Sequence, residues 1–223
     1  MEQKLIEIIN KRTVAGFTLA EVLITLLIIG VVASIVVPAL ISDTQDAELH
    51  TAWRKAYSNI EQATRMIMSD NAGSIAGLCN NYNHDCIKNL YLPYLSYTKS
   101  CSYGTAAGNC WHKMGVIKWL NGNIVTTADW SLSSLILNNG SLISFFSEAN
   151  CPSTSYYNRC GYIVIDVNGF KGHNTLGKDI FFIQLFKNQI KATGAQGAGS
   201  GDCDDDDTPS GNGYGCAAKY LKQ

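Results

Sequence analysis

The chain has 223 residues, including eight cysteines, and a formal charge of −1 at neutral pH. This near balance of basic and acidic residues excludes the strong positive field that proteins use to attract nucleic acid. The length suits one membrane segment and one globular domain of about 150 residues, which is large enough for a single hydrophobic core.

The first predicted element is a long apolar helix near the N-terminus. Residues 22–41 carry no charge, and about 20 residues at roughly 1.5 Å each span about 30 Å, the thickness of a bilayer's hydrocarbon core. Because Lys4, Lys11 and Arg12 precede this segment, the N-terminus is expected in the cytoplasm and the rest is expected to be exported. A cleaved secretory signal is the alternative, but the apolar run is longer than a typical signal core and no Ala-x-Ala cut follows it.

One carboxylate, Glu21, stands at the head of the apolar run. A charge in a membrane helix costs roughly 2.5–3.5 kcal/mol, which indicates a functional residue. Residues 16–21 read Gly-Phe-Thr-Leu-Ala-Glu, after a short basic segment and before an apolar helix with Pro38 near its far end. This arrangement resembles the prepilin-type cleavage and methylation signature. The resemblance implies a subunit of a type IV pilus, a type II secretion pseudopilus or a related filament.

The resemblance also implies roles for individual residues. Residues 1–16 would be a leader that the prepilin peptidase removes after Gly16, which leaves Phe17 as the new, methylated N-terminus. Glu21 and Pro38 would belong to the assembly segment. The positive amine of Phe17 would pair with Glu21 of a neighbouring helix and set the axial register between subunits. In the alternative interpretation the segment is a plain signal anchor, with Glu21 at the membrane interface.

The expected partners and location follow from the same resemblance. The partners are other pilin-like subunits, the prepilin peptidase, an inner-membrane assembly platform and, before assembly, membrane lipid; no nucleic acid is expected. The precursor would cross the inner membrane once, with its C-terminal domain in the periplasm or outside, and would later enter a filament.

The helix is predicted to continue past the membrane segment, from residues 17–41 into a soluble half at residues 42–70. Pro38 should kink or loosen it near the membrane exit, since proline deletes one backbone hydrogen bond. An apolar stripe at steps of three and four indicates that the soluble half packs on a sheet. The stripe consists of Leu49, Trp53, Ala56, Ile60, Ala63 and Ile67.

Residues 71–223 are predicted to form the exported globular domain. All eight cysteines lie here, and an even number on the exported side indicates disulfides. Several connectivities are open, and the spacing favours four local loops. Zinc is the alternative, but no Cys-x-x-Cys pair is present. The suggested pairs are Cys79–Cys86, Cys101–Cys110, Cys151–Cys160 and Cys203–Cys216.

Strand patterns begin after residue 115, following a loop-rich stretch at 78–114 with a helical turn near 87–91. Asn-Gly pairs predict two tight hairpins, one joining 116–119 to 124–127 and one joining 132–137 to 142–146. A longer turn joins 162–167 to 180–186. The fold class is therefore α+β: one long helix followed by four to six antiparallel strands, with one sheet face on the helix.

Two regions offer oxygen ligands for a Ca²⁺ ion. In the turn over residues 166–179 the candidates are Asp166, Asn168, Asn174 and Asp179, although Asn-Gly with a flanking Asp is also ordinary turn chemistry. Residues 188–214 are expected to be a surface loop, and its acidic run is either solvated or bound to a cation. That run contains Asp202, Asp204, Asp205, Asp206 and Asp207.

No catalytic motif is apparent, and no enzyme is predicted. The four histidines (His50, His84, His112 and His173) are scattered, and cysteines in disulfides cannot act as thiolate nucleophiles. The leading hypothesis is a structural filament subunit. The alternative is a minor subunit at a filament tip that acts as an adhesin or cargo-binding module.

Overall fold

A computed structural model describes residues 16–79, 82–126, 128–148, 151, 159–198, 203 and 213–222. Within these ranges the α-helices are α1 (Leu19–Asp70), α2 (His84–Tyr91) and α3 (Cys216–Leu221), with a 3-10 turn at Leu92–Tyr94. The strands are β1 (Tyr97–Cys101), β2 (Ser133–Leu137), β3 (Leu142–Ser147), β4 (Gly161–Asp166), β5 (Ile180–Leu185) and β6 (Ile190–Ala192). The chain divides into two compact units, Met1–Gln45 and Asp46–Gln223.

The first unit contains the apolar part of α1. Leu19–Pro38 has a mean hydropathy of 2.7 over 20 residues, and none of it is buried within the protein. By length and composition this segment can cross a membrane. The α1 helix includes Pro38 without a break in its helical assignment, and the kink there stays a prediction. Residues 1–15 of the predicted leader lie outside the described residues.

The second unit contains an antiparallel sheet whose six described strands follow chain order from β1 to β6. The hairpin predicted at Asn139-Gly140 is present between β2 and β3. Gly140 adopts φ +88°, and its amide donates to the carbonyl of Leu137 at 2.9 Å. This positive φ is why glycine suits the turn. The long predicted turn between β4 and β5 is also observed, and the α+β class is confirmed.

One face of the sheet packs on the soluble half of α1. The predicted stripe of α1 is buried from Leu49 to Ile67, with Trp53 wholly inaccessible. Its partners are buried side chains from the central strands, and Trp53 stacks on Phe181 with ring centroids 4.6 Å apart. The opposing strand residues in this core are Leu135, Ile143, Phe145, Ile163, Ile165, Phe181, Ile183 and Leu185.

The opposite face of the sheet is covered as well, which the sequence analysis did not foresee. The chain between β1 and β2 contributes Trp111 and Trp130 to a second buried cluster, together with Val164 and Phe182 from the sheet. Because both faces are covered, β5 is buried at every position from Ile180 to Leu185. A strand buried on both sides loses the alternation of apolar and polar residues.

The hairpin predicted around Asn121-Gly122 forms as a tight turn, in which the amide of Gly122 donates to Trp119 O at 2.9 Å, but its arms are not strands of the sheet. Its described residues form one antiparallel bridge, Lys118 with Ile124, while Thr127 lies outside the described residues. Two further backbone bonds close the hairpin, Trp119 N to Asn123 O at 2.8 Å and Val125 N to Ile117 O at 2.9 Å. The backbone of Lys118 also bonds to the β4–β5 turn, donating to Asn174 O and accepting from Leu176 N. The hairpin belongs to the layer that covers the sheet, because Ile117 and Val125 are buried in the second cluster.

Two segments predicted as loops contain edge strands. The stretch at 78–114 contains β1. The helical turn predicted near 87–91 is part of a longer helix, α2, which begins after the cap residue Asn83. The stretch at 188–214 includes β6, whose Ile190 and Ala192 are buried in the core. Both strands are short and pair on one side only, so their period-two pattern is too brief to stand out in the sequence.

The eight cysteines, all of them among the described residues, form four disulfides. The pairing is Cys79–Cys86, Cys101–Cys110, Cys151–Cys160 and Cys203–Cys216. This is the local pairing that the spacing favours. With every thiol in a disulfide, no cysteine is available as a metal ligand or nucleophile.

Candidate processing and assembly site

The predicted cleavage junction lies just before α1 begins. Gly16, Phe17 and Thr18 have no regular secondary structure, and the side chain of Phe17 is 88% exposed. A Cβ built on Gly16 would meet no atom within 4 Å. The peptide bond between Gly16 and Phe17 is therefore accessible and free of helical hydrogen bonds.

Glu21 and Thr18 form a reciprocal cap at the start of α1. One carboxylate oxygen of Glu21, Oε2, accepts from the amide of Thr18 at 2.8 Å and from its hydroxyl at 2.8 Å. The amide of Glu21 donates back to the Thr18 hydroxyl oxygen at 3.2 Å. This is a capping box, in which two of the helix's unpaired amides are satisfied. Among the described residues, no hydrogen-bond partner of the second oxygen, Oε1, is found.

Thr18 is the residue that the sequence analysis missed at this site. The signal was present, because Thr18-Leu19-Ala20-Glu21 has the Thr-x-x-Glu spacing of a capping box. Caps of this kind contribute about 0.5–2 kcal/mol to a helix. The same carboxylate that was assigned to contacts between subunits thus also holds the end of its own helix.

The first part of α1 exposes many of its own large apolar side chains. Leu27 is 68% exposed, Ile29 62% and Ile35 70%, values that a water-soluble surface rarely combines over so long a stretch. Such a helix needs an apolar environment, which is lipid or other apolar helices. Its place near the N-terminus is consistent with a membrane anchor.

Of the four predicted Ca²⁺ ligands in the β4–β5 turn, the two carboxylates accept from backbone amides, whereas Oδ1 of Asn168 and Oδ1 of Asn174 are buried without a hydrogen-bond partner among the described residues. The Asp166 carboxylate accepts from the amides of Asn168 and Gly169 at 3.1 and 2.7 Å. The Asp179 carboxylate accepts from the amides of Thr175 and Asn174 at 2.6 and 2.7 Å. Carboxylates bonded to backbone amides are what a turn of this kind requires, and Ca²⁺ binding here stays a prediction.

Asp166 also joins the turn to the covering layer. Its second oxygen lies 2.7 Å from Nε2 of His112, and both side chains are buried. Burial raises the pKa of Asp166 to about 6; the charge of Asp179 adds to the rise, and the hydrogen bond to His112 opposes it. The pair is a structural tie between two segments of the second unit.

The second candidate Ca²⁺ region is the acidic run near the C-terminus. Asp202, Asp204, Asp205, Asp206 and Asp207 lie outside the described residues. Within the described part of the chain, no three His, Cys, Asp or Glu side chains are placed to hold a metal ion. His50 instead stacks on Tyr220, and His84 accepts from the amide of Ser147.

The comparisons with known proteins bear on the N-terminal segment. The family described as the prokaryotic N-terminal methylation motif matches residues 11–37, a range that holds the Gly16–Phe17 junction, the capping box and most of the apolar helix. No curated protein and no solved structure matches the chain. The chain therefore carries the N-terminal methylation motif, which is the signature of type IV pilins and pseudopilins.

Proposed function

We propose that this chain is the precursor of a structural subunit of a type IV pilus or a type II secretion pseudopilus. It is processed after Gly16 and methylated at Phe17, and it assembles into a helical filament through its apolar helix. The observation that carries the proposal is a fully exposed apolar segment, Leu19–Pro38, headed by a single carboxylate inside a methylation motif.

Assembly never exposes the apolar helix to water in this proposal. In the membrane, lipid covers the apolar side chains of α1; in the filament, the same side chains are covered by neighbouring copies. The exchange keeps apolar surface out of water, where each buried CH₂ is worth about 0.8 kcal/mol. Because apolar contacts alone permit sliding, a polar residue is needed to define one register.

Glu21 supplies that register. Its Oε2 holds the cap with Thr18, and Oε1 is the oxygen that would accept the methylated amine of Phe17 from a neighbouring subunit. A carboxylate paired in this way is tolerated in an apolar filament, whereas removing one partner of a buried pair is strongly unfavourable.

Substitutions at Glu21 separate the charge from the cap. Glu21→Gln retains an amide oxygen for Thr18 but loses the charge, and Glu21→Ala loses both. We expect both variants to insert in the membrane and to reduce sheared filament yield by about tenfold or more. Thr18→Val, which keeps the charge and deletes the hydroxyl, should assemble better than either. Normal filament yield from Glu21→Gln would contradict the register role.

The processing step has its own test. Gly16→Leu places a bulky side chain at the cleavage junction, and we expect the full-length precursor to accumulate in the membrane. Intact-protein mass spectrometry would detect residues 1–16 in the variant and a methylated Phe17 in the unaltered protein. A mature-sized species from Gly16→Leu would contradict the proposed cleavage site.

A minor tip subunit that acts as an adhesin or cargo-binding module is the second candidate. It shares the same N-terminal segment, and the globular unit would carry its specific function. Stoichiometry distinguishes the two candidates: a major subunit dominates purified filaments by mass, and a tip subunit is present in a few copies per filament.

A further inference from the structure

An open groove of about 360 Å³ lies in the second unit, beside the soluble half of α1. One wall is a second stripe of α1 formed by Lys55, Asn59, Gln62 and Met66, which recur at steps of four, three and four. The other wall comes from the segment just before β1, from the end of β2 and from the turn that follows it. The groove is separate from the apolar helix and from the capping box.

Neutral amides dominate the polar lining of this groove. Asn59, Gln62 and Asn138 each present a carboxamide, and none of these three carboxamides bonds to another described side chain or backbone group. Each amide therefore offers both a donor and an acceptor to a ligand. Lys55 is the only charged side chain in the lining, and no carboxylate takes part.

Apolar and aromatic surface completes the site. Met66, Leu95 and Leu137 line the groove beside Tyr94. The hydroxyl of Tyr94 donates to the carboxylate of Asp70, which holds the ring in place. A few convergent polar groups around apolar surface are what small-molecule sites present, and this volume is at the lower end of their range, enough for roughly one or two sugar rings.

The neighbouring strand edge disfavours a peptide as the occupant. An extended peptide would add to the free edge of β1, but the β1–β2 register shifts between Tyr97 and Lys99. An irregular edge with an exposed lysine is a device that blocks strand addition. An ionic ligand is disfavoured too, since a single lysine among neutral amides offers little charge to pair with an ion.

We propose that this groove binds a neutral saccharide, with Asn59, Gln62 and Asn138 hydrogen-bonding to its hydroxyl groups. Paired donors and acceptors on carboxamides match the paired donors and acceptors of adjacent hydroxyls. The apolar floor covers the C–H faces of the sugar. The inference does not rest on filament assembly and holds for a major or a tip subunit.

The test uses the full-length chain in a zwitterionic detergent without a sugar headgroup. The protein is applied to an array of neutral and sialylated glycans, and the dissociation constant for the strongest neutral glycan is then measured by titration calorimetry. We expect binding to neutral glycans, and about tenfold weaker binding for Asn59→Ala and for Gln62→Ala, because each variant loses hydrogen bonds to the ligand.

Gln189→Ala is the matched control, since Gln189 is an exposed amide residue outside the groove. It should bind as the unaltered protein does, and all three variants should unfold at the same temperature. Three results would overturn the proposal: no neutral glycan binds, sialylated glycans bind more tightly than their neutral counterparts, or Asn59→Ala and Gln62→Ala bind as tightly as Gln189→Ala.

Discussion

At the scale of single residues, His84 shows how burial sets a protonation state. It lies at the start of α2, where its Nδ1 accepts from the amide of Ser147 at 3.1 Å and its ring stacks on Phe146 at 4.8 Å. Burial lowers the pKa of His84, and the nearby charge of Asp85 opposes this only in part. The folded protein therefore holds the neutral imidazole, with Nδ1 free of a proton.

This predicts a loss of stability in mild acid. Below the ordinary histidine pKa of 6.5, the unfolded chain takes up a proton that the folded state resists, so the free energy of unfolding falls as pH decreases towards the lowered pKa. His84→Asn keeps an acceptor near the Nδ1 position but cannot titrate. Its melting temperature should fall less between pH 7.5 and 5.5 than that of the unaltered protein; identical falls would refute the assignment.

At the scale of elements, α1 and α3 are joined through Trp53. The indole Nε1 donates to the carbonyl of Ala217 at 2.9 Å, and the ring stacks on Phe181. This side chain connects the soluble half of α1 to the sheet and to the C-terminal helix at once. The sequence analysis predicted Trp53 in the apolar stripe but did not predict α3.

Substitutions at Trp53 should separate the hydrogen bond from the packing. Trp53→Phe leaves the Ala217 carbonyl without its donor and should cost about 1–3 kcal/mol in the free energy of unfolding. Trp53→Ala also opens a cavity, and losses of about 3–5 kcal/mol are typical of such changes. Arg54→Ala, next in sequence and exposed, should change stability by less than about 0.5 kcal/mol. Urea unfolding followed by circular dichroism would rank the three variants.

At the scale of the whole molecule, apolar residues serve two purposes. In Met1–Gln45 they are exposed along α1, while in Asp46–Gln223 they form two cores, one on each face of the sheet. The second unit adds four disulfides that each close a short loop, with separations from 7 to 13 residues. This division suits a protein whose helix meets lipid or other helices and whose globular unit meets an oxidising environment.

The disulfide at Cys101–Cys110 ties β1 to the covering layer, and both sulfurs lie in the second core. Replacing both cysteines with alanine should lower the free energy of unfolding by about 2–3 kcal/mol, the chain-entropy value for a loop of this length. Thermal unfolding under oxidising conditions would measure the loss. A stability unchanged from that of the unaltered protein would show that the bridge constrains nothing.

Sequence alone determined the features that depend on neighbouring residues. The methylation motif around Glu21, the apolar helix, the stripe around Trp53 and the Asn139-Gly140 turn all follow from short-range patterns of charge, hydrophobicity and backbone preference. Contacts between distant segments of the chain decided which strands pair and which surfaces are buried, because the short-range patterns do not determine either. The Asn121-Gly122 segment forms the local turn of a hairpin, yet its arms join the covering layer and not the sheet, and the backbone of Lys118 bonds to Asn174 and Leu176, more than 50 positions away. The edge strand β1, which pairs with β2, and the amide-lined groove likewise exist only where distant segments meet, since their pairing and burial depend on contacts that no local window contains.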